Sequence, residues 1–230
     1  MKTAGLLGGM SWESTVVYCQ AINDGIRAKL GGWHSAQILL YSVDFHDLEG
    51  MQRQGKWDEI GIILGKAAQR VESAGADFLV ICTNTMHKVA PQIESSISIP
   101  ILHIADATAE RIKTHGYKKV GLLGTIYTME QDFYKARLQE RHGIATIVPG
   151  QDDRDIVNKV IYEELCVGEL LPESKSEFLR IINDLARSGA EAVILGCTEI
   201  GMLVKQVDTP VMLLDTTGIH AEEAVKWMLS

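Results

Sequence analysis

Several signals that would announce a cofactor or a compartment are missing from this sequence. Among 230 residues there are four cysteines, Cys19, Cys82, Cys166 and Cys197, and no two stand in C-x-x-C spacing. That favours free thiols over disulfides or a zinc site. No apolar run reaches the roughly 18 residues of a membrane-spanning helix. The opening MKTAGLLGGM is too short and too rich in glycine for a signal peptide, so a cytoplasmic protein is expected. There is no basic run and the net charge is −8, which argues against nucleic acid and anionic membranes as partners. The Gly-x-Gly-x-x-Gly spacing and the Gly-Lys-Ser/Thr loop are both absent, so dinucleotide and P-loop readings are poor. No H-x-x-x-H pairs His87 or His103 into a metal site, and no lysine falls where a pyridoxal phosphate Schiff base would need one. No linker is rich in Pro or Ser, so if the chain has two lobes they are closely joined.

What is present is an ordinary globular composition, 46% hydrophobic and 23% charged, and an internal echo. The stretch Gly75-Ala76-Asp77-Phe78-Leu79-Val80-Ile81-Cys82-Thr83-Asn84-Thr85 returns as Gly189-Ala190-Glu191-Ala192-Val193-Ile194-Leu195-Gly196-Cys197-Thr198-Glu199. Thr83 falls opposite Cys197, an offset of 114 (197 − 83). Gly5-Leu6-Leu7-Gly8 returns as Gly121-Leu122-Leu123-Gly124, an offset of 116 (121 − 5). Two matches at nearly one offset indicate a duplicated α/β unit, although apolar strands also resemble one another by chance.

Strands alternate with helices along the chain, which predicts parallel sheets. Strands are expected at Thr3 to Leu7, Gln37 to Ser42, Phe78 to Ile81 and Ile101 to Ile104 in the first half. In the second half they are expected at Val120 to Leu123, Thr146 to Val148, Ala192 to Leu195 and Val211 to Leu214. Ser11 reads as the N-cap of a helix running to about Leu30. Val43 to Gly55 reads as polar and irregular, and Thr125 to Thr128 as a loop. The expected fold class is α/β with two pseudo-symmetric lobes, each a parallel sheet flanked by helices. Residues 1–104 with 211–230 form the first lobe and 105–210 the second.

Ligands of open parallel sheets sit beyond the carboxyl ends of the strands. Four polar clusters fall there: Met10-Ser11, Thr83-Asn84-Thr85, Thr125, and Cys197-Thr198-Glu199. Gly8, Gly9 and Met10 either turn the chain or let a small ligand approach the backbone. A thiol at a strand end against a helix N-terminus is expected to have a lowered pKa, which makes Cys197 the candidate reactive group, the alternative being a buried inert thiol. Cys82 alternates with Thr83 and points to the opposite side of the strand, as core. Glu199 either orients Cys197 and tunes its proton or caps a helix. Asp44, Asp106 and Asp215 read as caps.

At these residues the chain resembles the aspartate/glutamate racemase family. The resemblance runs over its whole length and rests on Gly5-Leu6-Leu7-Gly8-Gly9-Met10, on Thr83-Asn84-Thr85 before Met86-His87, and on Gly196-Cys197-Thr198-Glu199. It implies two similar α/β lobes with the active site in the cleft between them and racemisation of an amino acid without a cofactor. It implies a group on each face of the substrate Cα, with Cys197 and Thr83 at the two catalytic positions. The expected substrate-binding residues are Met10, Gln52, Asn84, Thr85, Thr125, Thr198 and Glu199. The family's first cysteine stands in Cys-Asn-Thr, and this chain has Thr83 there. Aspartate-specific members carry basic residues near Leu48 and Cys166, so a glutamate or broader range is open, with Gln52 and Arg53 nearest to grip the side chain. No metal or other cofactor is implied, and a homodimer is. The implied substrate is acidic, aspartate or glutamate, processed faster from the L-enantiomer. Two alternatives remain: a malonate-type decarboxylase of the same superfamily with a single catalytic cysteine, and a non-catalytic two-lobe amino-acid-binding protein.

Overall fold

The computed structural model describes residues 1–230 and divides them into two compact units, Met1–Ile104 with His220–Ser230, and Ala105–Ile219. The first unit begins with β1 (Ala4–Gly8), α1 (Trp12–Leu30), β2 (Ile38–Ser42), α2 (Phe45–Arg53) and α3 (Trp57–Ser73). It continues with β3 (Phe78–Ile81), a 3₁₀ turn over Thr85–Val89, α4 (Ala90–Glu94) and β4 (Ile101–Leu102). Its four strands are all parallel, in the order β2-β1-β3-β4. The two inner strands are buried at every residue, as a sheet covered on both faces requires.

The second unit comprises α5 (Ile104–Thr114), β5 (Lys119–Gly124), α6 (Ile126–Glu130), α7 (Asp132–His142), β6 (Ala145–Ile147) and α8 (Gln151–Glu163). Then come α9 (Pro172–Arg187), β7 (Ala192–Gly196), α10 (Ile200–Leu203) and β8 (Met212–Asp215). Its sheet has the same plan, β6-β5-β7-β8, again parallel. In register, Gly5 lies beside Leu79 and Gly121 beside Val193. The two offsets seen in the sequence are therefore the spacings of equivalent inner strands, and the duplication is structural. The last helix, α11 (Thr216–Leu229), leaves β8 and ends in the first unit.

There Ala221, Ala224, Val225 and Met228 of α11 complete a core with Tyr18, Ile22 and Ile26 of α1 and Phe78 and Val80 of β3. The opposite face of that sheet is covered by Ile60, Leu64, Ala68 and Val71 of α3 against Leu7, Leu79 and Ile81. Each fully buried aliphatic side chain of this kind contributes about 1.5–3 kcal/mol.

Three expectations are corrected. The strand near residue 211 pairs with β7, so the second boundary lies beyond it at Ile219 and not near 210. Val43 to Gly55 contains a helix: the Asp44 carboxylate accepts from His46 N–H at 3.0 Å and caps it. Leu48 and Gln52, four apart, then bury one face. Thr125 to Thr128 likewise enters a helix, with Thr125 as its cap.

Candidate active site

In the first unit, the loop after β1 is closed by its own side chains. Thr15 Oγ1 accepts from Gly9 N–H at 2.8 Å and donates to Ser11 C=O at 3.0 Å. Ser11 caps α1 as expected. A Cβ on Gly8 would lie 2.5 Å from Thr15 Cγ2. Gly9 has φ +90°, and a Cβ there would meet Val43 C=O at 2.2 Å. These glycines admit α1 and the end of β2, and the space beside them is filled by protein. Met10 is 5% exposed and packs its side chain into the core, which leaves only its main chain to face the loop's surroundings.

After β3, Thr83 begins the turn, Asn84 and Thr85 follow it as buried residues, and Met86 is in the core. Gln52 of α2 is buried against this turn, its Nε2 3.7 Å from Met86 Sδ. The structure thus brings Gln52 beside the Thr83-Asn84-Thr85 segment. Arg53 faces solvent, paired with Glu49. Leu48 is core. Cys82 is fully buried, with Sγ 3.8 Å from Val80 C=O. Its thiol is pushed well above the ordinary value by burial and by Cys19.

Sequence reasoning left His87 without a role, and the structure supplies its contacts. His87 Nδ1 is 2.7 Å from Thr83 C=O, and Nε2 accepts from Ile104 N–H at 3.2 Å. Its ring centroid is 4.4 Å from that of His103 and 6.0 Å from that of His220. His220 in turn bonds Tyr18 Oη (2.9 Å) and Leu102 C=O (2.8 Å). Burial lowers its pKa to about 4, against the opposing pull of the Leu102 carbonyl, so it is neutral. The ring nitrogens of His87 and His220 are thus taken up by the protein, and no group of three or more His, Cys, Asp or Glu side chains is arranged to hold a metal. The signal for His87 was its spacing four residues after Thr83, one helical turn.

In the second unit, Thr125 Oγ1 lies 3.3 Å from Thr128 Oγ1 and accepts from Thr128 N–H. After β7 come Cys197, Thr198 and Glu199, with Thr198 and Glu199 buried. Cys197 Sγ–H donates to Glu199 Oε2 at 2.9 Å. The residue keeps some accessible surface, but its sulfur is enclosed. Burial, then the Glu199 charge, then Cys166, raise the thiol well above its ordinary value. This reverses the expected lowering. The helix that follows has only four residues, too few for a strong dipole, and the nearest polar partner is an anion. Asp44 and Asp215 cap helices as expected, the latter accepting from Thr217 N–H at 3.0 Å. Asp106 instead accepts two bonds from Arg137 (2.7 and 2.6 Å) and one from His142 (2.9 Å).

A thiol resting against a carboxylate is a latent strong base. Once the proton leaves, the enclosed thiolate is more basic than an exposed one, as abstraction from carbon requires. Each unit offers hydroxyl or amide groups at its strand ends, Thr83, Asn84 and Thr85 in the first and Thr125 and Thr198 in the second, of a kind that suits a carboxylate gaining charge.

The model of the family described as Asp/Glu/Hydantoin racemase matches residues 7–224. The chain is 23% identical to the broad specificity amino-acid racemase RacX of Bacillus subtilis, over 98% of each. Among solved structures it is similar to a candidate Asp/Glu racemase from Yersinia pestis, at 52% identity and TM-score 0.93 over the whole of both chains. It is also similar to an aspartate racemase homologue from Pyrococcus horikoshii, at 34% identity and TM-score 0.86, again over the whole of both chains.

Proposed function

The chain belongs to the Asp/Glu/hydantoin racemase family, and on that premise we propose that it is a cofactor-independent racemase of acidic amino acids that works faster from the L-enantiomer. The observation that carries this reading is the Cys197 thiol held 2.9 Å from the Glu199 carboxylate at the carboxyl end of β7. The substrate's ammonium group, arriving on the sulfur side of that pair, favours transfer of the thiol proton to the carboxylate and leaves a thiolate. The thiolate takes the α-proton of the L-substrate, and the electron pair stays on Cα, spread into the α-carboxylate. Asn84, Thr85, Thr125 and Thr198 hold that carboxylate as its charge grows. The Thr83 hydroxyl gives its proton to the opposite face, solvent reprotonates the alkoxide, and Glu199 releases to solvent the proton it took, which restores the thiol–carboxylate pair.

A hydroxyl is too weak an acid to stand as a base at neutral pH, yet it readily protonates a carbanion. From this comes the slower start from the D-enantiomer. Gln52, buried next to Met86, is the proposed contact for the side-chain carboxylate; its neutral amide suits a range of acidic side chains better than one strictly selected length. The same reading extends to a homodimer in the cytoplasm.

The test is incubation of L- and D-aspartate, glutamate and other amino acids with enzyme in D₂O, with the α-proton followed by NMR and the enantiomers by chiral chromatography. Loss of the α-proton signal with appearance of the opposite enantiomer is expected. Absence of both with every acidic amino acid would refute the proposal. Because Thr83 stands where a second cysteine is expected, a single-thiol decarboxylation of a malonate is the competing reading, and carbon dioxide release without racemisation would select it.

A further inference from the structure

Thr83 lies beyond the last residue of β3, where the ladder no longer holds the backbone. Something else must hold its peptide if the hydroxyl is to meet a carbanion from a defined direction. The His87 ring lies at its carbonyl, with Nδ1 at 2.7 Å. The tautomer follows from the other side of that ring. Ile104 N–H can only donate, so Nε2, 3.2 Å away, must be bare. The proton is then on Nδ1 and points at Thr83 C=O. His87 is 2% exposed, and the edge-on rings of His103 and His220 lie against it. The ring therefore ties the Thr83 turn to the start of α5.

We infer that His87 is the positioning residue for Thr83: its Nδ1–H holds the Thr83 carbonyl and so aims the hydroxyl that returns the proton. This rests on the racemase reading and deepens it. His87 touches no substrate and transfers no proton. A misplacement of about 1 Å can lower a rate by about 100-fold. Here the loss falls on the Thr83 face alone, while Cys197 continues to remove and return the α-proton on its own face.

Two replacements separate the ring's two bonds. In His87→Gln the amide lies near the Nε2 position and can accept from Ile104, but the donor to Thr83 is gone. In His87→Asn the amide N–H lies near the Nδ1 position and keeps that donor. The quantity to read is the ratio of L-to-D inversion to deuterium incorporation into recovered L-substrate. We expect His87→Gln to lower that ratio by about tenfold or more and His87→Asn to leave it near wild type. A purely structural role would depress inversion and incorporation together, and an unchanged ratio in His87→Gln, or equal ratios in the two variants, would overturn the inference.

If neither variant folds, the wild-type protein labelled with ¹⁵N-histidine decides the matter. Long-range ¹H–¹⁵N correlation should show His87 protonated at Nδ1 and bare at Nε2. The opposite tautomer, or a doubly protonated ring, would overturn the inference. Wild-type enzyme that exchanges no α-proton at all would instead sink the racemase reading and leave the tautomer measurement standing.

Discussion

Replacing Glu199 with Gln removes one negative charge from beside Cys197 and leaves the shape nearly unchanged. At 2.9 Å, a thiolate and a carboxylate repel by about 6 kcal/mol at an effective dielectric of about 20. Water at the rim of a partly accessible residue screens the pair, and about half, 3 kcal/mol, is the expected loss of repulsion. That corresponds to roughly a hundredfold larger thiolate fraction at a fixed pH below the thiol's titration. A thiolate that forms more easily is also less nucleophilic, by about the square root of that gain. The net expectation is about a tenfold faster alkylation of Cys197 by iodoacetamide, with the pH midpoint of that reaction moved to lower pH. Mass spectrometry of the peptide bearing Cys197 separates it from Cys19 and Cys166, and Cys82 is fully buried. The ascending limb of kcat/KM from the L-substrate should move in the same direction, since it reports the free enzyme's base. Alkylation that is unchanged or slower in Glu199→Gln would refute the account of why this thiol is raised.

Cys197→Ser should lower L-substrate exchange by about 10²–10⁴-fold, the usual worth of a general base, measured by loss of the α-proton in D₂O; near-normal exchange would remove Cys197 from the mechanism. Thr83→Cys should raise kcat from the D-enantiomer, whereas Cys82→Ala should leave the L-to-D asymmetry in place because its sulfur faces the core. Abolition of D-turnover by Cys82→Ala would show that the neighbour is the base. Asp106→Asn should cost about 1–2 kcal/mol in urea unfolding at neutral pH, at the low end for charge-assisted bonds because a third of the side chain is open to water. Burial works to raise the Asp106 pKa, but the bonds from Arg137 and His142 win and lower it. The stabilisation is therefore present above the ordinary carboxylate pKa and lost as pH falls through the folded value. The gap between wild type and Asp106→Asn should close in acid, and a gap constant with pH would contradict this.

The α/β class, the duplication and the polar residues at the strand ends were legible from local pattern. Phe78 to Ile81 and Ala192 to Leu195 are apolar at every position because parallel strands covered on both faces have no solvent side. The glycines and acids at their starts mark the same turn twice. Ser11 was readable as a cap for the same local reason, a hydroxyl just ahead of a helix. The helix over Phe45–Arg53 carries little local signal because its buried face is only Leu48 and Gln52, and packing rather than composition stabilises it.

Partner-dependent properties were out of reach. Whether Gly8 and Gly9 admit a ligand or the protein's own Thr15 and Val43 depends on residues that fold back onto the loop. The pKa of Cys197 follows from where the Glu199 carboxylate turns and how closely the sulfur is enclosed; the sequence placed the two residues two positions apart, but only the fold determined that the anion faces the thiol. His87 acquires its tautomer from Ile104, 17 residues away, and the protonation of a ring depends on its neighbours in space. The chain's order of residues thus specified which strands form and where they end. Long-range packing decided what each end can do, because electrostatic energies depend on distances and enclosure that no local pattern contains.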